Sequence, residues 1–110
     1  MKAALYKRVS TLDQAKEGYS LDAQERVLRA YCADHNYEIY DVYADEGISG
    51  RDIKHRPAMC RLLNDASKEK FNIILVWALS RFTRSVFDLY NTWGDLSQKG
   101  IALISYTESF

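Results

Sequence analysis

The sequence has no surplus charge of either sign: 15 basic residues balance 15 acidic ones. A free-standing nucleic-acid-binding domain normally shows a basic excess. Any such affinity here must come from a local cluster of charge or from a further segment. Pro57 is the single proline, and glycine is sparse at five. No linker, repeat or low-complexity tract breaks the chain, so its 110 residues read as one domain. Cys32 and Cys60 are the two cysteines. They lack metal-site spacing and read as reduced, buried thiols of a cytosolic protein. His35 and His55 are too isolated for a metal site. No apolar run approaches the roughly 18 residues of a membrane span. Charges interrupt the amino-terminal apolar run at Lys2, Lys7 and Arg8, which excludes a secretory leader. A phosphate loop of the G-x-x-x-x-G-K-S/T kind is missing, which disfavours ATP chemistry.

What is present is apolar material, 47 % of the chain. That is enough for a core and excludes disorder as the main state. Ala3 to Tyr6 with Val9 read as a first strand, and Thr11 to Tyr19 as a polar loop. Ser20 is suited to cap a helix, with Asp22 in its first turn. Leu21, Leu28, Tyr31 and Cys32 then recur at helical spacing, and Asn36 suits a left-handed stop. Glu38 to Ala44 form a second strand, followed by a loop over Asp45 to His55. Pro57 fits a first helical position. Met59, Leu62, Leu63 and Ala66 make the apolar stripe of that helix. Phe71 to Trp77 is a third strand. Val86, Leu89, Tyr90, Trp93 and Leu96 mark a third helix with a core-facing side, closed by Gly100. Ile101 to Tyr106 is a fourth strand. Strands separated by helices predict an α/β fold: a single domain over 1–110, with a mostly parallel central sheet of four to five strands and helices on both faces. The chain stops directly after a strand and reads as a fragment.

Parallel sheets place ligands beyond the carboxyl ends of their strands. Arg8 and Ser10 follow the first strand there, Asp45 and Arg56 the second, and Ser80, Arg81 and Arg84 the third. Arg8 and Ser10 share a face of an extended segment, and Arg81 and Arg84 share a face of a helical turn. Cations at a helix amino terminus oppose its dipole, so two of them there imply a bound anion. Arginine keeps its charge and offers a planar fork of donors that matches phosphate oxygens. Several forks around one serine describe a phosphodiester site, with Ser10 as nucleophile and a phosphoserine intermediate. A His–Asp pair to activate the serine is not apparent. Phosphoryl transfer without metal or ATP is the remaining enzymatic option, so neither a cofactor nor a metal is expected.

Tyr6-x-Arg8-x-Ser10 resembles the start of the catalytic domain of the serine site-specific recombinases, the resolvase/invertase family. Gly18-Tyr19-Ser20-Leu21-Asp22-Ala23-Gln24 is similar to the segment that opens the first helix in large members, the phage integrases and transposon recombinases. Asp45-Glu46-Gly47-Ile48-Ser49-Gly50 with Arg56-Pro57 resembles the second motif, and Ser80-Arg81-x-x-Arg84 the third. The resemblance runs from the first strand to the fourth. It implies that Ser10 attacks the DNA phosphate, leaving a 5′-phosphoserine link and a 3′-hydroxyl. Arg8, Arg56, Arg81 and Arg84 hold the phosphate and stabilise the transition state. Tyr6, Gln24 and Asp45 match supporting positions. Many members carry Asp where this chain has Ser80. The resemblance also implies DNA as partner, no membrane and a bacterial or phage-encoded cytoplasmic protein. It further implies dimers and tetramers built through a helix that follows this region, so 1–110 alone is expected to be a monomer or weak dimer and inactive.

Taken without the resemblance, the same residues have plainer readings. Gln24 is a surface residue of a first helical turn, Asp45 begins a turn and Tyr6 is half-buried core. Arg8 pairs with Asp13 or Glu17 at the surface, and Arg26, Arg29 and Arg61 are solvated. Two other functions also fit. One is a flavodoxin-like module that grips a phosphate or nucleotide without chemistry, marked by tight binding of mononucleotides. The other is a degenerate recombinase that only assembles with partners, marked by oligomers without cleavage. Arg8, Ser10 and the 45–55 loop are expected to be poorly ordered without DNA.

Overall fold

The computed structural model describes residues 1–9, 20–46, 56–83 and 86–108. The elements in order are β1 (Lys2–Val9), α1 (Leu21–His35), β2 (Glu38–Glu46) and α2 (Pro57–Ser67), then β3 (Ile73–Val76), α3 (Leu79–Phe82), α4 (Val86–Gln98) and β4 (Ala102–Ser105). The four strands form one sheet in the order β2-β1-β3-β4, and every pairing is parallel. In the central strand β1 every residue from Ala3 to Val9 is buried. Covered faces on both sides remove the polar alternation of a one-sided strand.

Side-chain parity divides β1 between two cores. Ala3 and Leu5 face α1 and pack with Leu28, Cys32, Ile73 and Leu75. Ala4 and Tyr6 face the other layer, with Met59, Leu62 and Ala66 of α2 and Leu96 of α4. Local signals set the helix ends. Ser20 accepts from the Ala23 N–H at 3.1 Å and caps α1, while Asn36 closes it at φ 58°. Pro57 opens α2, and Gly100 after α4 takes φ 75°.

Five expectations are corrected. Asp45 and Glu46 belong to β2, because β1 continues to Val9 and pairs Arg8 with Asp45 and Val9 with Glu46. The third strand is only Ile73–Val76, since pairing with β1 stops at Tyr6↔Val76. A separate one-turn helix, α3, precedes α4. Cys60 is exposed on α2 rather than buried. The Trp93 side of α4 is not a full core face: Leu96 is buried, Trp93 is half-buried and Tyr90 is 72 % exposed. The sheet covers one stripe of α4 and leaves Phe87 and Tyr90 outside it. Among the described residues, no helix is long and apolar enough to cross a membrane.

Candidate active site at the carboxyl ends of the strands

After Tyr6, the sheet parity that delivers apolar side chains to the α2 layer delivers charge. Arg8 and Arg56 are fully buried, Arg81 is 5 % exposed and Asp45 is 3 % exposed. Burying charge is costly unless each group is bonded, so the partners matter. Arg8 donates from Nε to the Arg81 carbonyl at 3.1 Å and from Nη2 to the Ser80 carbonyl. Arg56 donates from Nη1 to the Phe82 carbonyl and, at 3.4 Å, to the Tyr6 hydroxyl. Its guanidinium carbon lies 5.8 Å from the centre of the Tyr6 ring. Both side chains thus meet the carbonyl end of α3, where a helix dipole favours cations. Arg56 keeps two buried nitrogens, Nε and Nη2, without a hydrogen bond among the described residues.

Asp45 joins this network from the end of β2. Its Oδ2 accepts from the Tyr6 hydroxyl at 2.7 Å and from Met59 N–H at 3.1 Å, and its Oδ1 accepts from Ala58 N–H at 2.9 Å. The residue at the helix boundary, Arg56, gives α2 no side-chain cap. Asp45 therefore caps α2 from a neighbouring strand, which satisfies donors that every helix start leaves open. Burial, with the Asp45 hydrogen bond adding to it, raises the Tyr6 hydroxyl well above the usual phenol range, against the pull of Arg56. Tyr6 stays a neutral donor at physiological pH.

Gln24 holds the backbone of Arg8 from the opposite layer. Its Oε1 accepts from Arg8 N–H at 3.3 Å, and its Nε2 donates to the Arg8 carbonyl at 3.1 Å. This two-way bond takes the place of a strand partner beyond the last β1–β3 rung. Gln24 is fully buried, so the surface reading is corrected.

The structure thus brings together Tyr6, Arg8, Gln24, Asp45, Arg56 and Arg81. Ser10 and Arg84 lie outside the described residues, as do the 11–19 and 47–55 loops. Arg8 is fully buried rather than at the surface, its backbone bonded to Gln24 and its guanidinium to the Ser80 and Arg81 carbonyls. Arg81 belongs to the last turn of α3, and Thr83 after it is extended at φ −160°. The single helical turn expected over 81–84 is broken at Thr83. Arg81 sits at the carbonyl end of a helix, where the dipole favours a cation with no need of a bound anion, contrary to the expectation of a cation at a helix amino terminus. Sequence reasoning missed the capping role of Asp45. The available signal was the lack of any capping side chain at Arg56-Pro57. A cavity of about 420 Å³ lies elsewhere, against Tyr31 and residues 103–108, and includes none of the predicted site residues.

Fold and site together define a class: a parallel α/β domain, covered on both faces, with buried guanidiniums gathered beyond the carboxyl ends of its central strands. The chain belongs to the resolvase family, since residues 3–110 match the model of the resolvase N-terminal domain. It superposes on the crystal structure of the N-terminal catalytic domain of TP901-1 integrase with a TM-score of 0.92 and 40 % identity, covering 100 % of this chain and 81 % of that one. The DNA-invertase hin of Salmonella typhimurium is 33 % identical over 94 % of this chain and 47 % of its own length. The immunity region protein 3 of Bacillus phage phi105 is 53 % identical over 50 % of this chain and 66 % of its own. The chain therefore spans about half to two thirds of these curated relatives.

Proposed function

We propose that the chain is the catalytic part of a serine recombinase that cuts and rejoins DNA site-specifically. The observation that carries this reading is the buried cluster of Arg8, Arg56 and Arg81 in a domain of the resolvase family. Arg56 contributes most directly, with two buried nitrogens still able to bind phosphate oxygens. Ser10, two residues beyond Arg8, supplies the nucleophile. Its Oγ attacks phosphorus, the bond from phosphorus to the 3′-oxygen breaks, and that oxygen leaves as a 3′-hydroxyl after taking a proton. The 5′-phosphate stays on Ser10. A 3′-hydroxyl of the recombining strand then reverses the step. Each diester's energy is kept in the covalent link, so neither ATP nor a cofactor enters. Arg8, Arg56, Arg81 and Arg84 neutralise the charge that gathers on the phosphate, and each preorganised donor of this kind is worth roughly 10²–10³ in rate. Tyr6, Asp45 and Gln24 keep the arginines in place.

Regions outside 1–110 supply DNA sequence readout and the contacts for dimers and tetramers. That division accounts for the zero net charge of this domain and for the greater length of its relatives.

The test is covalent trapping. The full-length protein is incubated in EDTA with its cognate site bearing a nick, and adducts that survive denaturation are counted. An adduct from the wild type and none from Ser10→Ala is expected. An adduct from both moves the nucleophile to another residue. None from either, with protein folded and bound to DNA, overturns the enzyme reading.

A further inference from the structure

We propose that Glu108 is a positioning residue for the arginine cluster, acting through α3. The proposal rests on the reading of that cluster as the phosphate-binding part of the reaction centre. α3 is the hub of the cluster. It carries Arg81, and its carbonyl groups at Ser80, Arg81 and Phe82 hold Arg8 and Arg56. Yet α3 has only four residues. Its length leaves room for few backbone bonds, and those that tie it to the flanking residues are Arg81 N–H to the Ala78 carbonyl and Thr83 N–H to the Leu79 carbonyl, each at 2.9 Å. A single turn cannot hold itself together, because its nucleation cost outweighs so few bonds. Ala78 at its start offers no side-chain cap.

Glu108 supplies the missing acceptor. Its Oε1 takes the Leu79 N–H at 2.6 Å and the Ser105 hydroxyl at 2.9 Å. The backbone brings it there. Tyr106 N–H bonds the Val76 carbonyl at 2.8 Å and Thr107 N–H the Trp77 carbonyl at 3.0 Å, and the Tyr106 and Trp77 rings stack. The chain after β4 thus runs beside the end of β3 and delivers Glu108 to the amino end of α3. One end of α3 is held by Glu108 and the other by two arginines. A carboxylate far from the cluster in sequence sets where the guanidinium-binding carbonyls stand.

Glu108 is exposed, so its replacement leaves the core intact. The test compares Glu108→Ala with Glu108→Gln, which keeps an acceptor oxygen. Amide exchange is followed by NMR in the 110-residue chain, and adduct formation is timed in the full-length protein. In Glu108→Ala, exchange at Leu79 and Thr83 quickens about tenfold or more, while Leu5 and Tyr6 are unmoved. The maximum rate of adduct formation falls about tenfold at an unchanged half-saturating DNA concentration, as a small misplacement of the reacting groups demands. Glu108→Gln restores most of both. Unchanged exchange at Leu79 overturns the proposal, and so does a loosened α3 with a full rate. A loosened α3 in a protein whose wild type forms no adduct overturns the recombinase reading itself, and the positioning role with it.

Discussion

The two faces of the sheet solve the same problem differently at the carboxyl end of β1. On the α1 face, the helix start is capped by its own Ser20, three residues from the amide it accepts. The charge there, Lys7, meets Glu25 at 2.5 Å, and Glu25 meets Arg29 one turn on at 2.7 Å. These groups keep some contact with water. On the α2 face, the helix start is capped by Asp45 from another element, and the charges are sealed from solvent. Apart from the buried Gln24, the α1 face uses bonds at exposed or partly buried positions that can fail singly. The other uses long-range, buried bonds that share partners, so losing one strands several donors. The buried face carries the proposed chemistry. A site that must hold guanidiniums in fixed places gains from being over-determined, since preorganised donors need not reorganise during reaction.

The comparison breaks most visibly at Asp45. Replacing it by Ala leaves the Tyr6 hydroxyl and the amides of Ala58 and Met59 without their acceptor, all in the interior. Unsatisfied buried donors cost about 1–3 kcal/mol each, so the loss is expected at about 3–5 kcal/mol. Asp45→Asn keeps one acceptor oxygen and should lose about half as much. Urea unfolding of the 110-residue chain measures both. A loss below about 1 kcal/mol for Asp45→Ala would show that α2 is anchored elsewhere.

The same division explains what could be seen in the sequence. Strands, helices and their stops follow from short-range rules, so Ser20, Asn36, Pro57 and Gly100 announce themselves. The strand-end rule also gathered Arg8, Arg56 and Arg81 correctly at one end of the sheet. What escaped is what long-range bonds decide. Leu79-Ser80-Arg81-Phe82 looks like a lead-in to α4, yet Thr83 is extended and breaks the run. Gln24 and Asp45 carry their roles only through partners 16 and 13 or more residues away. The second apolar stripe of α4, at Phe87 and Tyr90, has core spacing but nothing of the sheet behind it.

Ser20→Ala probes the local end of the comparison. It removes one cap bond at an exposed helix start, and caps of this kind are worth about 1 kcal/mol. The urea midpoint should fall accordingly, and the Arg8, Arg56 and Asp45 signals in an NMR spectrum should stay in place. If the substitution shifts the Asp45 network, the start of α1 is coupled to it through Gln24, which holds the Arg8 backbone.

The smallest effect sharpens the contrast through pH. The hydrogen bond from Lys7, then that from Arg29, hold the Glu25 carboxyl below the usual glutamate range. A lowered pKa in the folded state means that the carboxylate is favoured by folding. Its contribution is therefore present at neutral pH and lost as pH falls through the lowered range. Half-exposed pairs of this kind are worth about 0.5 kcal/mol and weaken with salt. Glu25→Gln should lower stability by that amount at pH 7 in low salt. It should match the wild type once the pH is acidic enough to protonate Glu25 in the folded protein. The expected signature is a pair of stability curves that converge on the acid side and draw together in high salt. A gap that persists into acid would mean that Glu25 acts by packing along the Lys7 stem rather than by charge, and the α1 face would then share the dry character of the α2 face.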